Sequence, residues 1–600
     1  MDERINWLML ANKFAQDGDP RGMRACAREL FDLDNKSPDG PAVMAEAALY
    51  GGNLDEAEVL AHDACSLCPE HFRARMVLAG LAANRFELRD ELSILHKLTS
   101  DVRKEMNKAK TLQENIRLKK RLSRNADEES RENATIKQAA LEEDLHKYIL
   151  FHSLCLLADA EYLAGEPDRA ADALNEARTL TESRELEAEL YSKHLFLRNY
   201  RDITDRNSRE MAEAYQAILG PSIPYKQDKV LKTPEKKLRI GYISPDFRQH
   251  AVANFVLPFM RDFDSDHFSV YCYSTGKTDA VTDRLRHNHI SWRDMRGRPT
   301  HSVARQIAED HIDILVDLSG HSQNNCLPIM ALHPANIQVC AIGYTATTGL
   351  DAMDYFLSDD VCIPSKEQPV SFTERVLRMS RCHLCYAPGA IRDIPPAGTK
   401  APYLRNGYIT YGSFNNYAKV TDDVLFLWRA ILEKAENARL VIKGKICSIP
   451  SGESILMERL QKFGLPLERI ELRPYSPDYL EQYRDIDVIL DTSPYTGGLT
   501  TCEALYMGTP VIVLRGRSHG SRLGASIMTS ADLSELIAET PMEYVTKAVK
   551  LSTKSKFISY YHAGLRTHLY ESALMDSKGY MRELEAIYRK IWEEFCKTSS

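Results

Sequence analysis

The stretch 491-DTSPYTGGLTTCEALYMGTPVIVL-514 carries the pattern that decides the fold. An apolar run, DVILDT (487–492), ends at Asp491, and a loop with paired glycines, Gly497 and Gly498, leads into Leu499, Thr500 and Thr501. A helix is expected to start near Cys502, and a second β-rich run, PVIVLRG (510–516), follows it. Free backbone N–H groups and the helix dipole at such a turn form a ready site for a phosphate. The threonine hydroxyls add donors, and glycine lets the backbone approach an anion. Glu503, in the first helical turn, can accept hydrogen bonds from ribose hydroxyls. A second reading is a tight turn with Thr500 as N-cap and Glu503 completing a capping box. Spacing alone leaves the two readings even.

The same rhythm extends outward. Upstream lie YITYGSF (408–414), RLVIKGK (439–445) and RIELRPY (469–475), separated by amphipathic pieces. An earlier set comprises LRIGYIS (238–244), FSVYCYS (268–274), IDILVDL (312–318), IQVCAIG (337–343) and MDYFLSD (353–359), with helix-like pieces such as 280–286 and 302–310 between them. Short β-rich runs alternating with helices predict parallel sheets covered on both faces. The Pro- and Gly-rich stretch at 387–407 reads as a linker between two such units. The expected lobes are 236–395 and 404–575, with a C-terminal helix at 576–600.

Residues 1–220 read as nearly all helix. Gly52-Asn53-Leu54-Asp55-Glu56-Ala57 with Ala61, Ala64 and Pro69, and Gly165-Glu166-Pro167-Asp168-Arg169-Ala170 with Leu174 and Ala177, place a glycine before a second helix and small residues at a close crossing. That is the pattern of tetratricopeptide repeats, here degenerate or interrupted. The interruption is a strongly charged insertion at about 100–146, whose mixed signs read as a solvated helix face rather than a nucleic-acid arm.

Ligands of open α/β sheets bind beyond the carboxyl ends of the strands. Five loops lie there: Ser244-Pro245-Asp246 with His250; Asp317, His321 and Asn324; Gly343–Gly349 with Tyr344 and Thr345; Asn415–Lys419, before a helix capped by Thr421 or Asp422; and the paired-glycine loop. A lone His or Lys in a loop is ordinarily structural or solvated. Five polar or glycine-rich loops at strand ends exceed structural need.

Bulk properties narrow the class. The chain has 600 residues, 44% hydrophobic and 27% charged, with a formal net charge of −8. That length predicts two to four domains. The balance offers no global attraction for nucleic acid or anionic membrane. The expectation is a cytoplasmic protein without signal peptide or membrane insertion. Thirteen cysteines suit a reducing compartment. The C-x-x-C pairs Cys65/Cys68 and Cys382/Cys385 each lack a second pair nearby, so neither reads as a zinc site. Asp264-Ser265-Asp266 has metal-site spacing but reads as a turn.

Taken in order, RIGYISPDFRQH, ILVDLSGH, IGYTATTGLDAMDY, SFNNYAK and LDTSPYTGGLTTCEALYMGTPV resemble the O-linked N-acetylglucosamine transferase and SPINDLY family, glycosyltransferase family forty-one, from about Leu238 to about Val549. The bacterial and SPINDLY-like branches look closer than the animal enzymes. The resemblance implies a helical repeat module followed by a GT-B body of two Rossmann-like lobes. It also implies inverting, metal-independent transfer with no cofactor beyond a nucleotide-sugar co-substrate. His250 matches a histidine proposed as catalytic base or acceptor-positioning group. Lys419 matches the lysine that neutralises the donor pyrophosphate. Asn416, Ser476, Tyr479, Gly497, Gly498, Leu499, Thr500, Thr501 and Glu503 fall at donor-binding positions. Asp317, His321, Tyr344 and Thr345 are candidate sugar or acceptor contacts. Gly498 and Leu499 replace the His and first Thr of the animal motif, Tyr479 replaces a histidine near the nucleobase, and Gln482 an arginine. These departures leave UDP and GDP donors both open.

The expected function is transfer of N-acetylglucosamine from UDP-N-acetylglucosamine to Ser or Thr of a protein held by the repeats. The alternatives are O-fucosylation from GDP-fucose, asparagine N-glycosylation from a UDP-hexose, and a non-catalytic repeat scaffold.

Overall fold

The computed structural model describes residues 3–598 apart from 121–125, 203–205, 223, 226–232, 288, 368 and 389–392. Parts of the expected charged insertion and linker therefore lie outside the described residues. The chain divides into two compact units, Met1–Leu190 with Ser448–Leu456, and Tyr191–Cys447 with Met457–Ser600.

The first unit is built of helices: Glu3–Gln16, Pro20–Leu33, Asp39–Tyr50, Leu54–Leu67, Phe72–Asn84, Leu88–Lys120, Ala126–Leu163 and Pro167–Ala177. Local chemistry sets their ends. Asp19 accepts from the backbone N–H groups of Arg21 and Gly22, with Pro20 at the first helical position. Gly52 takes a left-handed φ of +76°, and Asn53 then caps the next helix by accepting from Glu56 N. Ala57 and Ala61 are fully buried against Ala45, Ala48, Val77 and Leu81, so small side chains let these helices cross closely. The charged stretch runs along the two longest helices, of 33 and 38 residues. On the first of them Lys104 pairs with Asp101 and Lys108 with Glu105, both lysines being about 70% exposed, as a solvated face requires.

The second unit contains two parallel sheets. The first has seven strands: β1 (Leu238–Ser244), β2 (Phe268–Ser274), β3 (Ser291–Asp294), β4 (Ile314–Asp317), β5 (Ile337–Cys340), β6 (Tyr355–Asp359) and β7 (Arg375–Met379), in the order β3-β2-β1-β4-β5-β6-β7. The second has six: β8 (Ile409–Ser413), β9 (Ala438–Lys443), β10 (Ile470–Arg473), β11 (Val488–Leu490), β12 (Val511–Leu514) and β13 (Ile537–Ala538), in the order β10-β9-β8-β11-β12-β13. Both are doubly wound, and each reverses direction once, between β1 and β4 and between β8 and β11. Central strands are largely buried, with β4 and β12 wholly enclosed.

Two segments lie elsewhere than the chain order implies. The helix Ser577–Thr598 follows the second lobe in sequence, yet its Tyr580, Leu584, Tyr588 and Trp592 share one core with Ile240, Tyr242 and Val270 of the first sheet. The helices Arg184–Arg198, from Tyr191 onward, and Arg206–Leu219 belong to the sheet-bearing unit, although the sequence grouped them with the repeats. Ser192 hydrogen-bonds His321 at 2.8 Å, and Gln216 accepts from Asp351 N at 3.0 Å. Gly349, at φ +72°, meets the Ala212 carbonyl so closely that a Cβ would lie 2.0 Å from its oxygen.

Candidate functional site

The second lobe's reversal point brings two loops together, the one after β8 and the one after β11. Asp491, fully enclosed beyond β11, organises both. Its Oδ1 accepts from Thr492 N (2.9 Å), Gly497 N (2.8 Å) and Asn415 Nδ2 (3.0 Å). Asn415 Oδ1 in turn accepts from the Thr500 hydroxyl at 2.7 Å. Thr496 fastens the same loop to the helix His519–Ser530, donating to Gly520 O and accepting from Gly524 N, each at 3.0 Å. Burial raises the Asp491 carboxyl to about 6, against the donors that favour its charge.

The helix after this loop begins at Leu499, three residues before the position expected from sequence, with Gly498 at its N-cap and no side chain capping it. The capping-box reading therefore fails. The Thr500 hydroxyl serves Asn415, and the Glu503 carboxylate receives the Tyr479 hydroxyl. Among the described residues no side chain caps the first turn of this helix, which suits an anion. A Cβ at Gly497 would lie 2.4 Å from Thr501 Oγ1 and 2.7 Å from Thr500 Oγ1. Only glycine fits beneath those hydroxyls.

Lys419 ends a short 3-10 turn, Tyr417–Lys419, whose cap is Asn416. Its Nζ donates to Thr496 O at 3.0 Å and sits 4.0 Å from the centre of the Tyr495 ring. Burial lowers its pKa to about 8, opposed by the Asp491 charge. The amine therefore remains mostly protonated at neutral pH, beside the glycine loop. Nearby, the Ser476 hydroxyl accepts from Gln482 Nε2 (2.7 Å) and Lys443 Nζ (3.1 Å). Burial lowers the Lys443 pKa as well.

In the first lobe His250 lies beyond β1, with Nδ1 3.6 Å from Asp246 Oδ2 and its side chain 37% exposed. Burial lowers its pKa, Asp246 raises it and Arg248 lowers it again. The imidazole is thus neutral near pH 7, the state a proton acceptor needs.

The four candidate sugar or acceptor contacts are all enclosed. Asp317 is completely buried and accepts from Ser319 Oγ (2.6 Å) and Gly320 N (2.7 Å), shaping the turn after β4. Both His321 nitrogens are engaged, with Ser192 Oγ at 2.8 Å and Thr348 O at 2.9 Å, and burial lowers its pKa to about 4. Tyr344 is 3% exposed and packs over Gly320. Asp317 and His321 set loop shape, whereas Tyr344 and Thr345 line a cavity. Asp264 caps its own turn through Asp266 N and His267, as its spacing implied.

The residues missed from sequence are Asn415, Lys443, Thr496 and Asp491, whose roles depend on which strands are neighbours. Asn416 was singled out instead of Asn415. The structure leaves Asn416 exposed as a turn cap and encloses Asn415 in the network.

Two doubly wound lobes, each with polar loops at its reversal point and one with an uncapped helix N-terminus beside a half-buried lysine, define a two-lobed body of the GT-B kind. The chain belongs to glycosyl transferase family 41, whose family model matches residues 195–386 and 393–584. A probable UDP-N-acetylglucosamine–peptide N-acetylglucosaminyltransferase SPINDLY of Arabidopsis thaliana is 38% identical over 379 residues, 61% of this chain and 41% of the relative. The protein of the same description from Eustoma exaltatum subsp. russellianum is 39% identical over 378 residues, 61% of this chain and 40% of the relative. This chain thus spans about two fifths of the length of these relatives. A mutant of the Thermobaculum terrenum O-GlcNAc transferase shares the fold with a TM-score of 0.69 and 26% identity, covering 100% of this chain and 99% of that one. Among the described residues no helix is long and apolar enough to cross a membrane.

Proposed function

We propose that the chain is an inverting protein O-glycosyltransferase that moves N-acetylglucosamine from UDP-N-acetylglucosamine to a Ser or Thr hydroxyl. The observation that carries this reading is the Lys419 ammonium held over a glycine loop whose helix N-terminus has no side-chain cap. In this reading Lys419, the Leu499–Thr501 N–H groups and the threonine hydroxyls receive the diphosphate. Glu503 and Tyr479 hold the ribose and base, with Ser476 and Asn416 at the rim. The acceptor oxygen attacks C1 of the sugar from the face opposite the diphosphate, and the C1–O bond to phosphate breaks as the new bond forms. Negative charge then grows on the departing diphosphate, where a fixed cation and preorganised donors stabilise it without a metal ion. His250, backed by Asp246, orients the hydroxyl or takes its proton. The lobe at 236–395 serves the acceptor, the lobe at 404–575 the donor, and the helical repeats present the protein in the cytoplasm.

The names of the related proteins support the sugar and the protein acceptor. A panel of nucleotide sugars offered to the purified chain tests the donor. UDP-N-acetylglucosamine should be hydrolysed or bound in preference to UDP-glucose and GDP-fucose. Preference for GDP-fucose, which Tyr479 and the Gly498–Leu499 pair leave open, would replace the donor assignment.

A further inference from the structure

Away from Lys419 and His250, the second unit encloses a cluster of metal-ligating side chains. Cys362 lies just past β6, His383 just past β7, and His519 at the start of the helix His519–Ser530. One ligand atom from each lies within 4.8 Å of the others, and all three residues are buried. His519 is 5% exposed, and neither of its ring nitrogens has a well-aligned hydrogen-bond partner among the described residues, only the Thr345 backbone approaching the ring. Its neighbours are the rings of Phe356, Phe372 and His383, the last at 5.0 Å between centroids. A neutral imidazole always presents one N–H and one lone pair, so burying both unmet points to a bound group.

The neighbouring carboxylate strengthens the case. Asp359 Oδ2 binds His383 Nδ1 and also accepts from His383 N (3.1 Å) and Ser526 Oγ (2.8 Å). Its Oδ1 accepts from Val361 N and Cys362 N, so Asp359 is occupied as an orienting group. A carboxylate on one ring nitrogen of a histidine is the usual support for a metal ligand at the other. A cavity of about 140 Å³, lined by Thr345, Cys362, Glu367, Phe372 and His519, gives a path for entry.

From this arrangement we infer that Cys362, His383 and His519 bind one divalent ion of the zinc class, with Asp359 orienting His383 and a fourth position facing the cavity. Zinc–sulfur and zinc–nitrogen bonds of roughly 2.3 and 2.1 Å place tetrahedral ligand atoms about 3.5 Å apart. The trio therefore needs to close by about 1 Å, within reach of side-chain rotation. Binding releases the Cys362 thiol proton to solvent and leaves the thiolate on the metal. Two ligands come from the first lobe and one from the second, so the ion fastens them together. His519 also adjoins Gly520, whose carbonyl receives Thr496 of the glycine loop. The ion would thus brace the donor loop without taking part in transfer. Cys382 borders the cluster, whereas Cys385 packs in the first lobe's core, so the C-x-x-C pair is not itself the chelate.

The test loads the tag-free, full-length chain with zinc, removes free metal by gel filtration and measures what remains. A parallel sample loaded with cobalt is read by absorption, and thermal unfolding is followed with and without zinc. One zinc per chain should remain, cobalt should show a thiolate charge-transfer band, and zinc should raise the melting temperature. Cys362→Ser should lose the band, His519→Asn should lose retention and the thermal shift, and Cys385→Ser should keep all three. His519→Asn reports even where Cys362→Ser fails to fold. Failure of the wild-type chain to retain zinc, or a cobalt band that persists in Cys362→Ser, would overturn the assignment. None of these readouts needs donor turnover, so the outcome is independent of the transferase reading.

Discussion

Replacing Lys419 with alanine separates catalysis from folding by a wide margin. The amine contributes one hydrogen bond to Thr496 O and a contact with the Tyr495 ring, and it bears a desolvation penalty that its lowered pKa records. The net stability loss on removal should be about 1 kcal/mol or less. A unit charge about 4 Å from a phosphate oxygen, at an effective dielectric near 20, contributes roughly 4 kcal/mol. Charge on the diphosphate grows during transfer, so most of that appears in the transition state, a loss of about 10³-fold in kcat. The assay is steady-state release of UDP from UDP-N-acetylglucosamine, alongside thermal unfolding of both proteins. The expected pair is a collapse in kcat with a nearly unchanged melting temperature. A variant within about threefold of wild-type kcat would refute the pyrophosphate role, since threefold corresponds to well under 1 kcal/mol.

The pH profile should follow from the same groups. If Lys419 holds the diphosphate through its charge, affinity should fall by up to about tenfold per pH unit above about 8, while activity should fall on the acid side as His250 gains its proton below the ordinary histidine range. Isothermal titration with UDP across pH checks the alkaline limb; affinity flat to pH 10, where an unperturbed lysine begins to titrate, would contradict it. Gly497→Ala should abolish UDP binding and destabilise the fold by about 1–3 kcal/mol, because the new methyl overlaps two threonine hydroxyls. Calorimetry of that variant showing normal UDP affinity would remove the loop from the site. Turnover in buffer free of magnesium and manganese should equal turnover with either added; strict dependence on added metal would refute the lysine mechanism. A chain beginning at Arg184 should bind UDP normally but lose transfer to protein, whereas one beginning at Gly220 should unfold at lower temperature. The second loses Ser192, Asp202 and Gln216, which hold His321, the His519–Ser530 helix and the Asp351 turn.

Much of this architecture is readable from one-dimensional patterns. The runs at 238–244 and 268–274 coincide with β1 and β2 because buried central strands are continuous apolar segments. The short strands β3, β7 and β13 escape, because edge strands carry charge, as Arg375 and Arg378 show in β7, or span two residues, as in β13. Of the two caps the sequence offered, Thr421 and Asp422, Thr421 caps its helix by accepting from Val424 N. Lys419 and the glycine loop stand out as loops at strand ends. Their meeting depends on β8 lying beside β11, a pairing that local sequence does not encode. Asp491 illustrates the limit. It reads as the last residue of a strand, and while two of its donors are local, the third, Asn415, lies 76 positions away in sequence. His321 shows the same limit: it reads as lying past a strand end, and local sequence does not show that Ser192 and Tyr215, from helices far upstream, pack against it.

Sugar transfer to a protein hydroxyl can be measured directly. The purified chain is incubated with UDP-N-acetylglucosamine labelled in the sugar and with proteins extracted from its own cells, beside the Lys419→Ala variant. Modified sites are then located by fragmentation mass spectrometry. Label should enter protein only with the wild-type chain, on Ser or Thr, and leave under mild alkali. Alkali-stable label on asparagine, equal labelling by Lys419→Ala, or labelling from GDP-fucose but not from UDP-N-acetylglucosamine would contradict it.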